Sequence, residues 1–300
     1  MSRKHPVVVI TGSSGAGTST VQKALESIFF RQKLSSVVIE GDSFHRYDRN
    51  TMQSKMDQAT GAGKNFSHFG SEANQFETLE RLFKTYGETG GGRKRFYLHN
   101  DDEVAEHNQR LGLDLEAGQF TPWEDVEPGT DLMFYEGLHG LVKTDKVDLT
   151  QYVDLKVGVV PVVNLEWIQK IHRDNAERGY SEDVIVETIL RRMPDYVKYI
   201  TPQFSETDIN FQRVATVDTS NPFIARDIPT LDESFVVIRF RNPDIRNTDF
   251  SNLLSMIDRS FMSRRNTIVV PGGKMGMAMD IIFNPIIADL IAKRNEALCR

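Results

Sequence analysis

The sequence has a single cysteine, Cys299, so no disulfide and no multi-cysteine metal site can form within one chain, and a reducing compartment is the expectation. Residues Met1 to Pro6 carry neither the apolar core nor the small-residue cleavage site of a secretory leader. No apolar run approaches membrane-spanning length. These absences point to a cytoplasmic protein with no membrane partner. Positive charge is also in short supply: 36 Lys and Arg stand against 42 Asp and Glu, a net charge of −6. That balance argues against a nucleic-acid partner held by bulk electrostatics, but it does not prevent a few clustered arginines from holding one small anion. Internal repeats, low-complexity tracts and a composition typical of an interdomain linker are missing too. Residues 1–300 are therefore expected to form one domain with insertions.

Short apolar runs end in small or polar residues and alternate with helix-like segments. Val7 to Ile10, Val37 to Ile39, Leu132 to Tyr135, Leu155 to Val160, Phe235 to Phe240 and Thr267 to Val270 read as strands. Ser19 to Arg31, Asn164 to Arg178, Asp249 to Arg259 and Met275 to Arg294 have helical spacing, the last interrupted by Pro285. Gly61 to Gly70 and Gly87 to Arg95 read as Gly-rich basic loops. The alternation predicts an α/β fold with a mostly parallel central sheet and helices on both faces.

Gly12, Ser13, Ser14, Gly15, Ala16, Gly17, Thr18, Ser19 and Thr20 follow a buried-type strand and open a helix. That is the setting of a phosphate-cradling loop, in which glycines let backbone N–H groups close around phosphate oxygens. The helix N-terminus adds unpaired donors and partial positive charge. Ser19 is positioned by this pattern to offer its hydroxyl to Mg²⁺. The pattern departs from the usual form at Thr18, where a lysine is expected, so another cation must face the β/γ-phosphates of ATP. Without one, the segment is only a turn joining strand to helix.

Carboxylates follow two strands. Asp42 comes just after Val37–Glu40, at the carboxyl edge where open α/β sheets bind ligands, and is a candidate general base for an attacking hydroxyl. A helix cap is the competing reading of Asp42. Glu136 closes the strand Leu132 to Tyr135, and a buried carboxylate there needs a cation or donors, which makes it a metal-side candidate. His45 and Arg49 are four residues apart and would share a helix face, giving a cationic surface for a sugar phosphate. In the segment Asn164 to Arg178, Leu165, Ile168 and Ile171 mark a buried stripe, and Lys170, Arg173, Asp174 and Arg178 lie on another face. Lys170 and Arg173 are the candidates to replace the missing lysine, with Asp174 to orient them; ordinary surface ion pairs are the competing reading. Arg191 and Arg192 either favour a helix C-terminus or clamp a phosphate.

The runs GSSGAGTST, EGDSFHRY, YEGLHG, VVPVVNLEWIQKIHRD, TPQFSETDINFQR and DTSNPFIARDIP resemble the bacterial phosphoribulokinase family, and the likeness extends from about Lys4 to Leu290. In that family threonine also stands at the lysine position of the loop. The resemblance implies a P-loop NTPase-like three-layer fold and ATP-dependent phosphorylation of D-ribulose 5-phosphate at O1, with Mg²⁺. It implies Asp42 as general base, Glu136 at the metal nucleotide, Lys170 and Arg173 as transition-state cations and Asp174 as a second active-site carboxylate. It also implies His45, Arg49 and Arg178, with Tyr97 and His99 from a neighbouring stretch, as sugar-phosphate contacts. A homo-oligomer, often an octamer, regulated by NADH and AMP, is a further implication, with Arg239 and Arg264 as regulatory candidates. Two other readings stay open from the residues themselves: a kinase of the same superfamily acting on a nucleoside or pantothenate, and a nucleotide-binding regulator that does not transfer phosphate.

Overall fold

The computed structural model describes residues 4–13, 17–224, 227–243 and 248–299. Ser14, Gly15 and Ala16, together with the side chains of Ser19 and Arg178, lie outside the described residues. The chain runs β1 (Val7–Gly12), α1 (Thr18–Arg31), β2 (Ser36–Glu40), α2 (Arg49–Gly61), α3 (Phe76–Thr89), β3 (Arg93–Lys94), α4 (Asp101–Leu111) and β4 (Glu124–Asp125). It continues through β5 (Leu132–Gly137), β6 (Leu155–Val159), α5 (Val163–Arg178), α6 (Glu182–Asp195) and β7 (Ile209–Ala215). The last elements are β8 (Ser234–Phe240), α7 (Phe250–Met256), β9 (Phe261–Arg264), β10 (Thr267–Pro271) and α8 (Met275–Leu298).

Eight strands make one sheet in the order β2-β5-β1-β6-β7-β8-β10-β9. The pairs from β2 across to β7 are parallel, and β8, β10 and β9 extend the sheet antiparallel. The mostly parallel α/β architecture read from the sequence is therefore present. A strand covered on both faces needs apolar side chains at successive positions, and β1 supplies them as Val7-Val8-Val9-Ile10. Their alternation feeds two cores. Val8 and Ile10 pack with Val21, Leu25 and Ile28 of α1 and with Ala278, Ile282 and Phe283 of α8. Val7 and Val9 pack with Leu79, Phe83 and Tyr86 of α3 on the opposite face. Helix, sheet and helix thus form three layers.

Several boundaries differ from the sequence reading. Gly87 to Thr89 form the last turn of α3 rather than a loop, with Gly87 buried, and Arg93–Lys94 pairs with β4. The apolar face of α3, carrying Leu82, Phe83 and Tyr86, outweighs the local cost of one glycine. α7 stops at Met256, and α8 runs unbroken through Pro285. Residues 272–298 are also apolar and long enough to cross a membrane by length and composition alone, against the expectation that no run reaches that length. In this fold their apolar side chains, among them Met279, Ile286 and Ile287, complete the core beside α1.

Buried Gln203 ties the ends of two central strands together. Its Oε1 accepts from Thr11 Oγ1 at 3.0 Å and from the Leu141 amide at 2.9 Å. Its Nε2 donates to the carbonyls of Leu138 at 2.8 Å and Tyr199 at 2.7 Å. Every polar atom of the amide is matched, as burial requires.

Candidate active site

The carboxyl ends of β1, β2, β5 and β6 face a common edge. There, Gly12 is needed for close approach: a Cβ would lie 2.8 Å from both the Val159 carbonyl oxygen and Thr18 Cγ2. Gly17, at φ 98°, takes the left-handed conformation that lets the loop turn into α1. Thr18 fills the position where a lysine was expected, and its hydroxyl lies near Glu136 and favours the ionised carboxylate. Burial pushes Glu136 up to about 7, assisted by the like charges of Asp42, Glu40 and Glu26. A cleft of about 740 Å³ opens beside this loop, lined by Gly17, Thr20, Val159, Glu166, Phe211 and Gly273 among others.

Asp42 sits in a short helical turn, Gly41–Phe44, immediately after β2. It does not cap the following helix: Asp48 is the cap of α2, accepting from the Thr51 amide at 2.7 Å. Asp42 Oδ1 instead meets His45 Nε2 at 3.1 Å, and Asp42 Oδ2 lies 3.9 Å from His99 Nε2. Burial opposes ionisation of this carboxyl, but the facing histidines, His45 foremost, hold it well below the ordinary carboxylate range. His45 precedes α2 in extended backbone, so it does not share a helix face with Arg49, the first residue of α2. The site is assembled in tertiary space instead. Arg49 Nη2 donates to the His99 carbonyl at 3.0 Å. Tyr97 stacks edge-on to both His45 and His99, at 6.4 and 4.9 Å between ring centres.

On the other side, α5 and α6 bring cations together. Lys170 Nζ pairs with Asp174 Oδ2, and Arg173 Nη2 donates to Asp174 Oδ1 at 3.1 Å. Asp174 is only 4% exposed. Burial lowers Lys170, and Arg192 and Arg173 add to the effect. Arg192 Nη2 lies 3.4 Å from His68 Nδ1, whereas Arg191 turns away and donates to Thr60 Oγ1 at 2.8 Å. Burial keeps His68 well below its ordinary value, and the charges of Arg192, His45 and Lys170 act in the same direction. One protein surface thus gathers Asp42, His45, His68, Lys170 and Arg192. Arg239 and Arg264 lie elsewhere, exposed on β8 and β9, each opposite Thr267 of β10 near the far edge of the sheet.

Four further residues at the site were not singled out from the sequence. Asn74 contacts His45, and Arg95 donates to the carbonyls of Ser43 at 2.8 Å and His45 at 2.6 Å. His139 is buried against Phe76 and pushed down to about 3 by burial. Glu166, 6% exposed, accepts from Tyr196 Oη at 3.1 Å beside the buried Ser13 Oγ, which has no hydrogen bond of normal geometry. Only the position of Asn74 and Arg95 opposite the Asp42 turn gives them meaning, and that position depends on chain segments far apart in sequence.

A glycine loop opening a helix at the carboxyl edge of a parallel sheet, faced by carboxylates and a cluster of cations, defines a P-loop phosphotransferase. Residues 7–220 match the family model described as "Phosphoribulokinase / Uridine kinase family". The chain is 58% identical over 298 residues to the chromosomal phosphoribulokinase of Cupriavidus necator, covering 99% of each. It is 57% identical to the phosphoribulokinase of Nitrobacter vulgaris, covering 99% of this chain and 100% of the relative. A solved structure titled phosphoribulokinase from Rhodobacter spheroides superimposes with a TM-score of 0.88 at 52% identity, covering 98% of this chain and 100% of that one. The chain belongs to the phosphoribulokinase/uridine kinase family, and it is a kinase that uses ATP and a divalent metal ion.

The residues at the loop suit such an ion. Among the described residues no cluster of three or more His, Cys, Asp or Glu offers an all-protein cage. A hard cation bound by one carboxylate, phosphate oxygens and water needs no such cage. The partly buried Glu136, surrounded by like charges, is a carboxylate whose ionised form a cation would stabilise.

Proposed function

We propose that this kinase transfers the γ-phosphoryl group of ATP to O1 of D-ribulose 5-phosphate, giving ribulose 1,5-bisphosphate and ADP. The observation that carries the reading is the Asp42–His45 pair at the end of β2, next to the phosphate loop and opposite the Lys170 and Arg192 cations. Relatives at 55–58% identity over nearly the whole chain are phosphoribulokinases, which supports the choice of acceptor.

In this reading Gly12 to Thr20 hold the triphosphate, and the cleft beside Gly17 and Thr20 takes the nucleoside end. Asp42 Oδ accepts the proton of the O1 hydroxyl as that oxygen attacks phosphorus. Such positioned proton transfer is worth about 10²- to 10⁴-fold in rate. Phosphoryl transfer rests otherwise on alignment and neutralisation of spreading charge, the task of Lys170 and Arg173 oriented by Asp174. Mg²⁺ held by Glu136 and Ser19 would neutralise charge on the β- and γ-phosphates. His45, Arg49, Tyr97, His99, Arg178 and Arg192 form the sugar-phosphate side, and Arg191, bonded to Thr60 instead, is left out of it. The protein works as a cytoplasmic homo-oligomer, up to an octamer, and Arg239 and Arg264 belong to an NADH-responsive regulatory surface away from the chemistry.

The test is acceptor-dependent ADP production with Mg-ATP across ribulose 5-phosphate, other pentose phosphates, uridine and pantothenate. Ribulose 5-phosphate is expected to give the highest kcat/KM. Stronger turnover of uridine or pantothenate would remove this acceptor assignment.

Arg95 carries a second prediction. Its guanidinium stacks 3.7 Å from the Phe120 ring centre while clamping the carbonyls of Ser43 and His45, the turn that aims Asp42. A lysine cannot reproduce that two-pronged hold. Arg95→Lys is expected to lower kcat by about 10- to 100-fold, since small misplacements of a reacting group cost that much. Unchanged kcat at saturating substrates would show that the clamp does not aim the base.

A further inference from the structure

Asn74 is 2% exposed and lies across an isolated bridge from His45. Its Nδ2 donates to two carbonyl oxygens, those of His68 at 2.8 Å and Gly70 at 2.7 Å. Carbonyl oxygens only accept, so the amide cannot be turned end for end without setting Oδ1 against both of them. Oδ1 must therefore be the atom that faces His45 Nδ1 at 2.9 Å. An amide oxygen only accepts, which requires a proton on Nδ1. The opposite ring nitrogen, Nε2, meets the Asp42 carboxylate at 3.1 Å and needs a proton there as well. Two acceptors on opposite ring edges admit only the doubly protonated imidazolium while Asp42 is ionised.

We propose that Asn74 is a positioning residue that fixes the protonation of His45, holding it as a cation that faces both Asp42 and the acceptor side of the site. A neutral histidine could satisfy Asp42 alone by placing its single proton on Nε2. Asn74 removes that option, because a bare Nδ1 would oppose the lone pairs of its Oδ1. The groups that face the ring from the surrounding segments are Asp42, His68, Arg95, Tyr97 and His139, with His99 acting through Asp42. Burial, together with the positive charge of Arg95, works against a charged ring. Asp42 and Asn74 outweigh them and raise His45 above its ordinary value. A permanent cation beside Asp42 also keeps that carboxylate ionised between turnovers, ready to take a proton.

The consequence for the acceptor rests on the sugar-phosphate reading above; the protonation state itself does not. The experiment is ¹⁵N NMR of histidine-labelled full-length protein, with His45 assigned by the signal lost in His45→Gln. Both ring nitrogens of His45 are expected to be protonated at pH 7; a neutral ring with one bare nitrogen there overturns the proposal, and this readout needs no Asn74 variant to fold. Asn74→Leu is expected to lower the His45 titration midpoint by about one unit, the usual scale of environmental shifts for histidine. An unchanged midpoint in Asn74→Leu overturns the proposal. In the same leucine variant the KM for ribulose 5-phosphate is expected to rise about tenfold, the effect of losing one charged contact, with the KM for ATP unchanged. If the NMR results hold but no acceptor activity on ribulose 5-phosphate exists in the unmodified protein, the acceptor assignment has failed and the role of Asn74 stands.

Discussion

Asp42→Asn is expected to lower turnover by about 100- to 10,000-fold, the contribution of a positioned general base, while Mg-ATP binds as before. The amide has the size of the carboxylate and still accepts a hydrogen bond from His45, so the turn after β2 keeps its shape. What it lacks is the capacity to take a proton. In the native protein His45, 3.1 Å away, and the more distant His99 and His68 keep Asp42 ionised against the desolvation that opposes it. That charge state holds throughout the neutral range, so no part of the loss comes from protonating the native carboxylate. The nucleotide contacts proposed above lie on β1, α1 and β5, whereas Asp42 lies in the turn after β2. kcat and the Kd for a non-hydrolysed ATP analogue, measured on the same preparation, separate the two effects. A variant with more than a tenth of native turnover would rule out Asp42 as the base, and a collapse of nucleotide affinity would point to a structural role.

The second large effect is expected at Lys170. Lys170→Met keeps the length and the apolar stem of the side chain but removes the charge. A preorganised charge aimed at the transferred group is worth about 100- to 1000-fold in rate, so kcat is expected to fall by that much. Stability changes too, because Asp174 is nearly inaccessible and would retain only Arg173 of the two cations described around it. Taking one cation away from a buried charge is destabilising, in the range of a few kcal/mol when the partner is lost outright. The double variant Lys170→Met/Asp174→Asn separates the two consequences. It is expected to recover thermal stability without recovering kcat. If turnover returns together with stability, Lys170 serves only to neutralise Asp174, and the transition-state cation must be sought in Arg173 or Arg192.

The places of the glycine segment, Asp42 and Glu136 in the fold were legible because the signals are local: a glycine pattern between a strand and a helix, and acidic residues closing apolar runs. The partnership of Lys170 with Asp174 was legible for the same reason, since four residues along a helix is one turn. Pairing His45 with Arg49 by the same spacing misled, because Asp48 is the cap from which the helix begins and His45 lies before it in extended backbone. Pro285 misled in the opposite sense, because the tertiary packing of α8 against α1 and the sheet sustains the helix through it.

The alternation of buried strands and amphipathic helices, the glycine segment between β1 and α1 and the carboxylates at strand ends were decided by the sequence alone, since each depends on residues within one or two turns of each other. The environment of those groups was decided only in three dimensions. Thr18 meets Glu136 across 118 positions because β1 and β5 are neighbours in the sheet. Asn74 reaches His45, and Arg95 reaches the carbonyls of Ser43 and His45, because the segments after β2, just before α3 and after β3 meet over the same edge. Charge state and hydrogen-bond partnership depend on what lies within a few ångströms, and most of those neighbours come from elsewhere in the chain.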